Sequence, residues 1–156
     1  MHDIENAFTK NGNEFVIFFV GDNEYCIDIM SLREIRSWTA PTSLPDSPPY
    51  VRGVINLRGA VVPIVDLALR LGLTPAEKTE RSVIMITNIG DQMIGLSADA
   101  VSDILSIEQA DIQAPPQMSA QTDNYFISGL VAMENRMISI MDPLRILPNG
   151  TETVAA

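Results

Sequence analysis

The chain has 156 residues, of which 46% are hydrophobic and 19% charged, a composition typical of a compact globular domain and unlike that of a disordered chain. Ten basic residues stand against twenty acidic ones, and this charge of -10 disfavours binding to nucleic acid or to anionic lipid surfaces. No apolar run reaches the roughly 18 residues that span a bilayer, and the opening MHDIENAFTK has no secretion-signal pattern, so we expect a cytoplasmic protein without direct membrane insertion.

The residue types most used in metal binding and nucleophilic catalysis are scarce. His2 is the single histidine, and Cys26, the single cysteine, lies in the strand-like run EYCIDI. One cysteine excludes an internal disulfide and a multi-cysteine metal site, and a free cysteine in such a run is expected to be buried and inert. We therefore predict no metal and no cofactor. A hydrolase that uses scattered carboxylates is an alternative, but no phosphate-binding Gly-rich loop or His/Cys/acid cluster supports it.

The predicted elements of the first half are short strands separated by turns. Residues 15–35, FVIFFVGDNEYCIDIMSLREI, give an apolar run, a Gly-Asp turn and a second strand, and a third strand is expected around residues 32–38. The Pro-rich crossover PTSLPDSPPY leads to a hairpin in residues 50–67 and then to a short helical end. Strands of about six residues at this spacing predict a small barrel or a sandwich.

The second half repeats the first. A shift of 69 superposes residues 15–35 on residues 84–104, and it pairs Ile35 with Ile104. A shift of 76 superposes residues 50–67 on residues 126–143, so that Gly53 matches Gly129 as a turn position. The change of shift implies a seven-residue insertion, which we place in the polar segment 113–124. Two gapless matches in the same order indicate a duplicated unit.

The duplicated hairpin has its tip at Arg58-Gly59 in the first unit and at Glu134-Asn135 in the second. Because Gly and Asn adopt positive φ most readily, we expect a three-residue loop with Gly59 or Asn135 in the left-handed conformation. Pro63 lacks an amide hydrogen, which favours an edge position or a bulge for the returning strand. Arg58 is then either a solvated tip charge or a contact to another molecule, since the turn itself does not require an arginine.

Two aspartates at matching positions, Asp66 and Asp142, precede the short helical ends. Asp66 stands before LALRL and Asp142 before a proline, which is favoured at the first helical position. We interpret both as helix N-caps, which accept otherwise unpaired amide hydrogens, rather than as acid-base catalysts.

Three segments together resemble the CheW family of chemotaxis coupling proteins along nearly the whole chain. They are FVIFFVGDNEYCIDIMSLREIR, LPDSPPYVRGVINLRGAVVPIVDL and IGLSADAVSDIL, with the NLRG hairpin after a Pro-rich crossover as the most specific signal. The resemblance implies a mainly β fold with short helices, built as two intertwined five-stranded SH3-like barrels. Residues 14–148 would form one CheW-like domain whose two pseudo-repeated barrels share a core, and residues 1–13 and 149–156 would be flexible.

The resemblance also implies a function without catalysis. Proteins of this family are adaptors that join the regulatory domain of the histidine kinase CheA to the cytoplasmic tips of methyl-accepting chemoreceptors. The expected location is therefore cytoplasmic, in association with membrane-receptor arrays through these partners. The receptor tip is a helical hairpin that lies in a groove between the two barrels, a form of helix-in-groove recognition. The kinase-binding residues are not assigned by the resemblance.

The residues that the resemblance places on the receptor side are Arg58, Glu34, Leu32, Arg52, Val101 and Ile104. Arg58 can fork onto a carboxylate or a carbonyl of the receptor. Leu32, Val101 and Ile104 are either the apolar floor of the groove or ordinary core residues. Glu34 is a receptor contact, a solvated strand charge or an internal partner of Arg58, and Trp38 is either an interface anchor or part of the crossover packing.

A small-barrel oligonucleotide binder is a further alternative for an SH3-like fold. Such proteins need a basic groove and aromatic side chains on which bases stack. Only 6% of the residues are aromatic and the chain is strongly acidic, so this alternative is disfavoured.

Overall fold

The computed structural model describes residues 13–116 and 126–146. The predicted flexible ends lie outside this range except for Asn13, where the first strand begins, and most of the segment 113–124 lies outside it as well. The ten strands of the described residues are β1 Asn13–Val20, β2 Asn23–Asp28, β3 Leu32–Ser37, β4 Val51–Leu57, β5 Ala60–Asp66, β6 Val83–Ile89, β7 Gln92–Ala98, β8 Ala100–Ile107, β9 Ile127–Met133 and β10 Arg136–Met141. One α-helix, α1, spans Leu67–Arg70, and 3₁₀ turns span Ile29–Ser31, Gln109–Asp111 and Pro143–Arg145.

The strands form two five-stranded sheets that exchange strands between the halves of the chain. Barrel 1 has the order β8-β1-β2-β10-β9, and barrel 2 has the order β3-β6-β7-β5-β4. Under the duplication, β1 to β5 correspond to β6 to β10, and this correspondence converts one order into the other. The predicted pair of intertwined SH3-like barrels is confirmed.

Each barrel has its own interior, and a third core lies between the barrels. In β1, Phe15 and Ile17 belong to the interior cluster of barrel 1, whereas Val16 and Phe18 belong to the shared core. The interior of barrel 2 is formed around Ile55, Leu57, Val62, Ile64, Ile84 and Ile86. Because β1 is buried on both faces, its sequence is an almost unbroken apolar run instead of an alternating one.

Bulges occur at equivalent positions in the two barrels. The pairing of β4 with β5 shifts register between Val51 and Gly53, which leaves Arg52 as the extra residue. In the second unit, the pairing of β9 with β10 shifts so that Ser128 is the extra residue. Gly53 and Gly129, which were predicted as turn positions, therefore lie within β4 and β9, each directly after a bulge. A bulge turns the side chain of the extra residue away from the regular alternation of the strand.

The prediction for the strand that contains Pro63 was wrong. This strand, β5, lies between β4 and β7 and is not at an edge, and the bulge is in its partner β4. The parallel ladder with β7 begins at the pair Ile64 and Gly95, one residue after Pro63. The missing amide hydrogen therefore removes no bond to β7, and the proline is tolerated in a central strand.

The hairpin tips also differ from the expected three-residue loops. Leu57 pairs with Ala60, so the first loop has two residues, Arg58 at φ +50° and Gly59 at φ +91°. Positive φ at both positions is the requirement of a type I′ turn, whose twist matches that of the flanking strands. In the second loop Glu134 has φ +50°, and Asn135 does not have a positive φ. The left-handed residue of the second loop thus lies one position earlier than predicted.

The short helical ends begin at the two aspartates. Asp66 is the N-cap of α1 and accepts a hydrogen bond from the Leu69 amide at 3.3 Å. Asp142 accepts one from the Leu144 amide at 3.0 Å, with Pro143 at the start of the turn. Both contacts satisfy amide groups that a helix start leaves unpaired.

Candidate functional site

Two of the predicted receptor-side residues meet at one rim of barrel 2. Nη2 of Arg58 lies 2.7 Å from Oε1 of Glu34, and Nη1 of Arg36 lies 3.3 Å from Oε2 of the same carboxylate. Glu34 and Arg36 are on β3, whereas Arg58 is at the tip of the β4–β5 hairpin. Since β3 and β4 are the two ends of the sheet order in barrel 2, these contacts join the two edges of that sheet. We call Glu34, Arg36 and Arg58 the rim cluster.

The rim cluster leaves Arg58 available to a partner although its charge is paired. The Arg58 side chain is 65% exposed, and only its Nη2 contacts Glu34. The hydrogen bond from Arg58, with a further one from Arg36, holds the pKa of Glu34 below its usual range. Of the alternatives for Glu34, the internal partner of Arg58 is the one present in the structure. A guanidinium has five N–H donors, so this pair does not exhaust the hydrogen-bonding capacity of Arg58.

The left-handed backbone of Arg58 is a property of the turn. A non-glycine residue in this conformation costs about 1 kcal/mol, and Asn and Gly are the usual choices in type I′ turns. Glu134 has the same φ of +50° at the matching position of the second unit. The backbone strain therefore gives no reason to assign a function to Arg58, and only its exposure and charge suit it to a contact with another molecule.

The predicted apolar residues lie at the margin of the core that the barrels share. Leu32 on β3 and Val101 on β8 are partly buried and pack against this core. Ile104 is 52% exposed and pairs with Val16, which is part of the same core. Leu32 and Val101 thus take part in packing of the shared core, whereas Ile104 projects into solvent.

Ile35 is a fourth member of this apolar set that the site prediction did not include. Its side chain is 42% exposed, and it pairs with Met85, a residue of the shared core. The shift of 69 matches Ile35 with Ile104, so the duplication was a sequence signal that could have identified it. The pairs Leu32/Ile35 and Val101/Ile104 are therefore equivalent features of the two units.

Arg52 lies in a different environment from the rim cluster. It is the bulge residue of β4, its side chain is 49% exposed, and its Nε lies 3.8 Å from Oδ2 of Asp66. Trp38 packs against the interior of barrel 2, and Nζ of Lys78 lies 5.5 Å from the centre of its ring. The structure therefore supports the packing role that was one of the alternatives for Trp38.

The described residues show no sign of metal or thiol chemistry. No group of three or more His, Cys, Asp or Glu side chains in residues 13–116 and 126–146 could hold a metal ion. Cys26 is buried, and this burial, with the nearby charge of Asp28, raises its pKa to about 12. None of the helices within the described part of the chain is long and apolar enough to cross a membrane.

The fold and the surface define the class of the protein as a binding module of two strand-exchanged SH3-like barrels. A family model described as the CheW-like domain matches residues 14–150, and the chain belongs to this family. It is 46% identical to the chemotaxis protein CheW of Rhizobium meliloti over 155 residues, which cover 99% of this chain and all of that protein. It is 45% identical over 150 residues to the probable chemotaxis protein CheW of Rhizobium etli, with 96% of both chains covered.

A solved structure supports the same assignment. The crystal structure of the scaffolding protein TtCheW from Thermoanaerobacter tengcongensis matches with a TM-score of 0.76 and 32% sequence identity. The match covers 83% of this chain and 88% of that one. Sequence family and three-dimensional fold therefore agree.

Proposed function

We propose that this chain is a non-catalytic chemotaxis adaptor that couples a CheA-type histidine kinase to the cytoplasmic tips of methyl-accepting chemoreceptors. The observation that supports the receptor part is the rim cluster. There the carboxylate of Glu34 orients the exposed Arg58 at the tip of the NLRG hairpin. Family membership and the scaffolding role named for the matched structure support the adaptor part. No metal, nucleotide or other cofactor takes part in this function.

The receptor tip is expected to bind through charged contacts at Arg58 and at Arg52 and through one apolar contact region. Arg58 uses the donors that face away from Glu34 to bind a carboxylate or a carbonyl of the receptor. Leu32, Ile35, Val101 and Ile104 offer apolar contacts at the margin of the shared core, as an amphipathic helix requires. Glu34 contributes by restricting the orientations of Arg58, which lowers the entropy lost on binding.

The kinase contact is proposed at the ends of the sheets. The family resemblance implies that the chain as a whole is similar to the regulatory domain of the kinase, and an edge strand offers unpaired backbone groups to another barrel. Individual contacts can be weak in such an assembly, because linkage within a receptor array raises the effective concentration of each partner. Regulation then takes place through changes in the populations of bound arrangements.

Charge reversal at Arg58 tests the receptor contact. We expect Arg58→Glu to weaken co-sedimentation with receptor-containing membranes by about tenfold or more, because it replaces attraction by repulsion at the contact. Thermal unfolding should change little, since exposed ion pairs contribute at most about 1 kcal/mol. Stimulation of kinase autophosphorylation in the receptor complex should fall in parallel.

Glu134→Arg is the matched control, because Glu134 occupies the equivalent tip in the second unit with the same φ. This variant should retain receptor binding and kinase stimulation. An Arg58→Glu variant that binds receptors normally, or that loses binding only in proportion to lost stability, would contradict the proposed role of Arg58.

A further inference from the structure

Asp66 has one oxygen that the helix cap does not use. Its side chain is 2% exposed, and Oδ1 accepts the hydrogen bond from the Leu69 amide. Oδ2 is buried and has no hydrogen-bond partner, and the salt bridge that it forms is to Nε of Arg52, 3.8 Å away. This separation is longer than a hydrogen bond, so the contact is electrostatic in the structure. A buried carboxylate without a nearby cation or full hydrogen bonding would be strongly destabilising.

A small cavity adjoins Asp66. Its volume of about 10 Å³ holds about one water molecule. The lining residues are Trp38, Pro41, Arg52, Ile64, Asp66, Lys78 and Ser97. The lining contains two cations, Arg52 and Lys78, and Arg52 is the one that forms a salt bridge with the carboxylate.

The backbone of β4 fixes the direction of Arg52. Arg52 is the extra residue of the bulge, and the adjacent Gly53 has φ +142° with its backbone packed against the carbonyl of Thr42. Bulges commonly redirect one side chain of a strand in this way. The Arg52 side chain is nonetheless 49% exposed, so part of the guanidinium group remains available to another molecule.

The second unit contains the same cap without this arginine. Ser128 stands at the position of Arg52, and Oδ2 of Asp142 lies 3.4 Å from Nε of Arg145 within its own 3₁₀ turn. A cap aspartate can therefore form its salt bridge with a cation from its own turn. In the first unit the cation comes instead from a strand whose arginine also faces solvent.

We propose that Asp66 is a positioning residue that acts through Arg52, holding its guanidinium in one orientation for a carboxylate-bearing protein partner. The helix cap and the positioning use different oxygens of the same side chain. The inference rests on the proposed receptor binding, because the partner in question is the acidic or carbonyl-bearing surface of the receptor tip. Asp66 then takes part in recognition although its own side chain is buried and does not contact the partner.

Asp66→Asn separates the two roles, because Asn is as good an N-cap as Asp but carries no charge. The experiment uses the full chain with Asp66→Asn, Arg52→Met and the double variant, together with Asp142→Asn as the matched control. The first readout needs no partner: the order parameter of the Arg52 Nε–H bond, from ¹⁵N NMR relaxation, should fall in Asp66→Asn because the guanidinium loses the charge that orients it. The second readout is the affinity for a receptor-tip fragment displayed on membranes.

We expect Asp66→Asn and Arg52→Met each to weaken binding about tenfold, and the double variant to be no weaker than either single variant. Asp142→Asn should stay within about twofold of the unaltered chain. An unchanged Arg52 order parameter in Asp66→Asn, or additive losses in the double variant, would overturn the inference. If the unaltered chain does not bind the receptor tip at all, the proposed function fails, and the NMR readout still decides whether Asp66 holds Arg52.

Discussion

At the scale of single residues, the Arg58–Glu34 pair joins the tip of the β4–β5 hairpin to β3. The 2.7 Å contact orients a guanidinium that is still 65% exposed. An exposed pair of this kind adds little to stability, because solvent screens it and two long side chains are restrained. Its main effect is therefore on the orientation of Arg58, which is the property that the proposed receptor contact would use.

The protonation of Glu34 gives a test of this pair at low pH. The pKa of Glu34 is lowered in the folded state, chiefly by the hydrogen bond from Arg58. A lowered pKa means that the contribution of the pair is present above the unfolded pKa of about 4.3 and is lost as the pH falls through the folded value. We expect Arg58→Met to raise the midpoint of Glu34 in a carboxyl ¹³C NMR titration.

Arg36→Met is the control for that titration, since its hydrogen bond to Glu34 is the smaller of the two effects. The midpoint should rise less in Arg36→Met than in Arg58→Met. A larger rise in Arg36→Met would show that Glu34 is held mainly by its own strand and not by the hairpin tip.

At the scale of elements, the Pro-rich crossover is hydrogen-bonded to β4 at Val54, next to Gly53. The amide and carbonyl of Thr42 exchange hydrogen bonds of 2.8 Å with those of Val54. A Cβ atom at residue 53 would lie 2.1 Å from the carbonyl oxygen of Thr42, and φ is +142°. The equivalent bridge in the second unit joins Gln113 to Leu130.

We expect Gly53→Ala to lower the free energy of unfolding by about 3 kcal/mol or more, because backbone atoms must separate and the residue is strained. Gly59→Ala is the control, since φ at residue 59 is also positive but nothing lies within 4 Å of its Cβ position. That variant should lose only about 1 kcal/mol. Urea unfolding measures the loss of stability in both variants. Equal losses in Gly53→Ala and Gly59→Ala would contradict an energetic cost from the close approach of residue 53 to Thr42.

At the scale of the whole molecule, one arginine joins the two units. The guanidinium of Arg70 lies 5.0 Å from the ring centre of Tyr50 and 4.8 Å from that of Phe126, and its Nε donates to the carbonyl of Ile146. The shift of 76 matches Tyr50 with Phe126, so Arg70 lies between equivalent rings of the duplicated units. This contact and the exchanged strands make each barrel dependent on both halves of the chain.

We expect Arg70→Met to lower the free energy of unfolding by about 2 kcal/mol, through the loss of two cation–π contacts and one hydrogen bond. Urea unfolding followed by fluorescence and circular dichroism should still show one transition, because neither barrel can unfold alone. Arg81→Met, at an exposed position of the loop between α1 and β6, should change stability by no more than about 0.5 kcal/mol. Two separate transitions in the unaltered chain would contradict this coupling.

The sequence by itself determined the repeated unit, the strand runs, the caps at Asp66 and Asp142, and the location of the NLRG tip. These features depend on local chemistry: apolar periodicity, turn residues and helix-start residues act within a few positions along the chain. The exposed arginine at the tip followed from the same local reasoning. The receptor-side residues came from the family resemblance and remain predictions.

Only the tertiary structure decided which strands pair, because exchange of strands between the halves depends on long-range contacts that leave no local pattern. It placed Pro63 in a central strand, since the ladder to β7 starts one residue later. It paired Arg58 with Glu34, and it directed Arg52 to the buried oxygen of Asp66. The β5–β7 ladder, the Arg58–Glu34 pair and the Arg52–Asp66 pair each join residues that are not neighbours in the sequence. Packing rather than local preference brings these residues together.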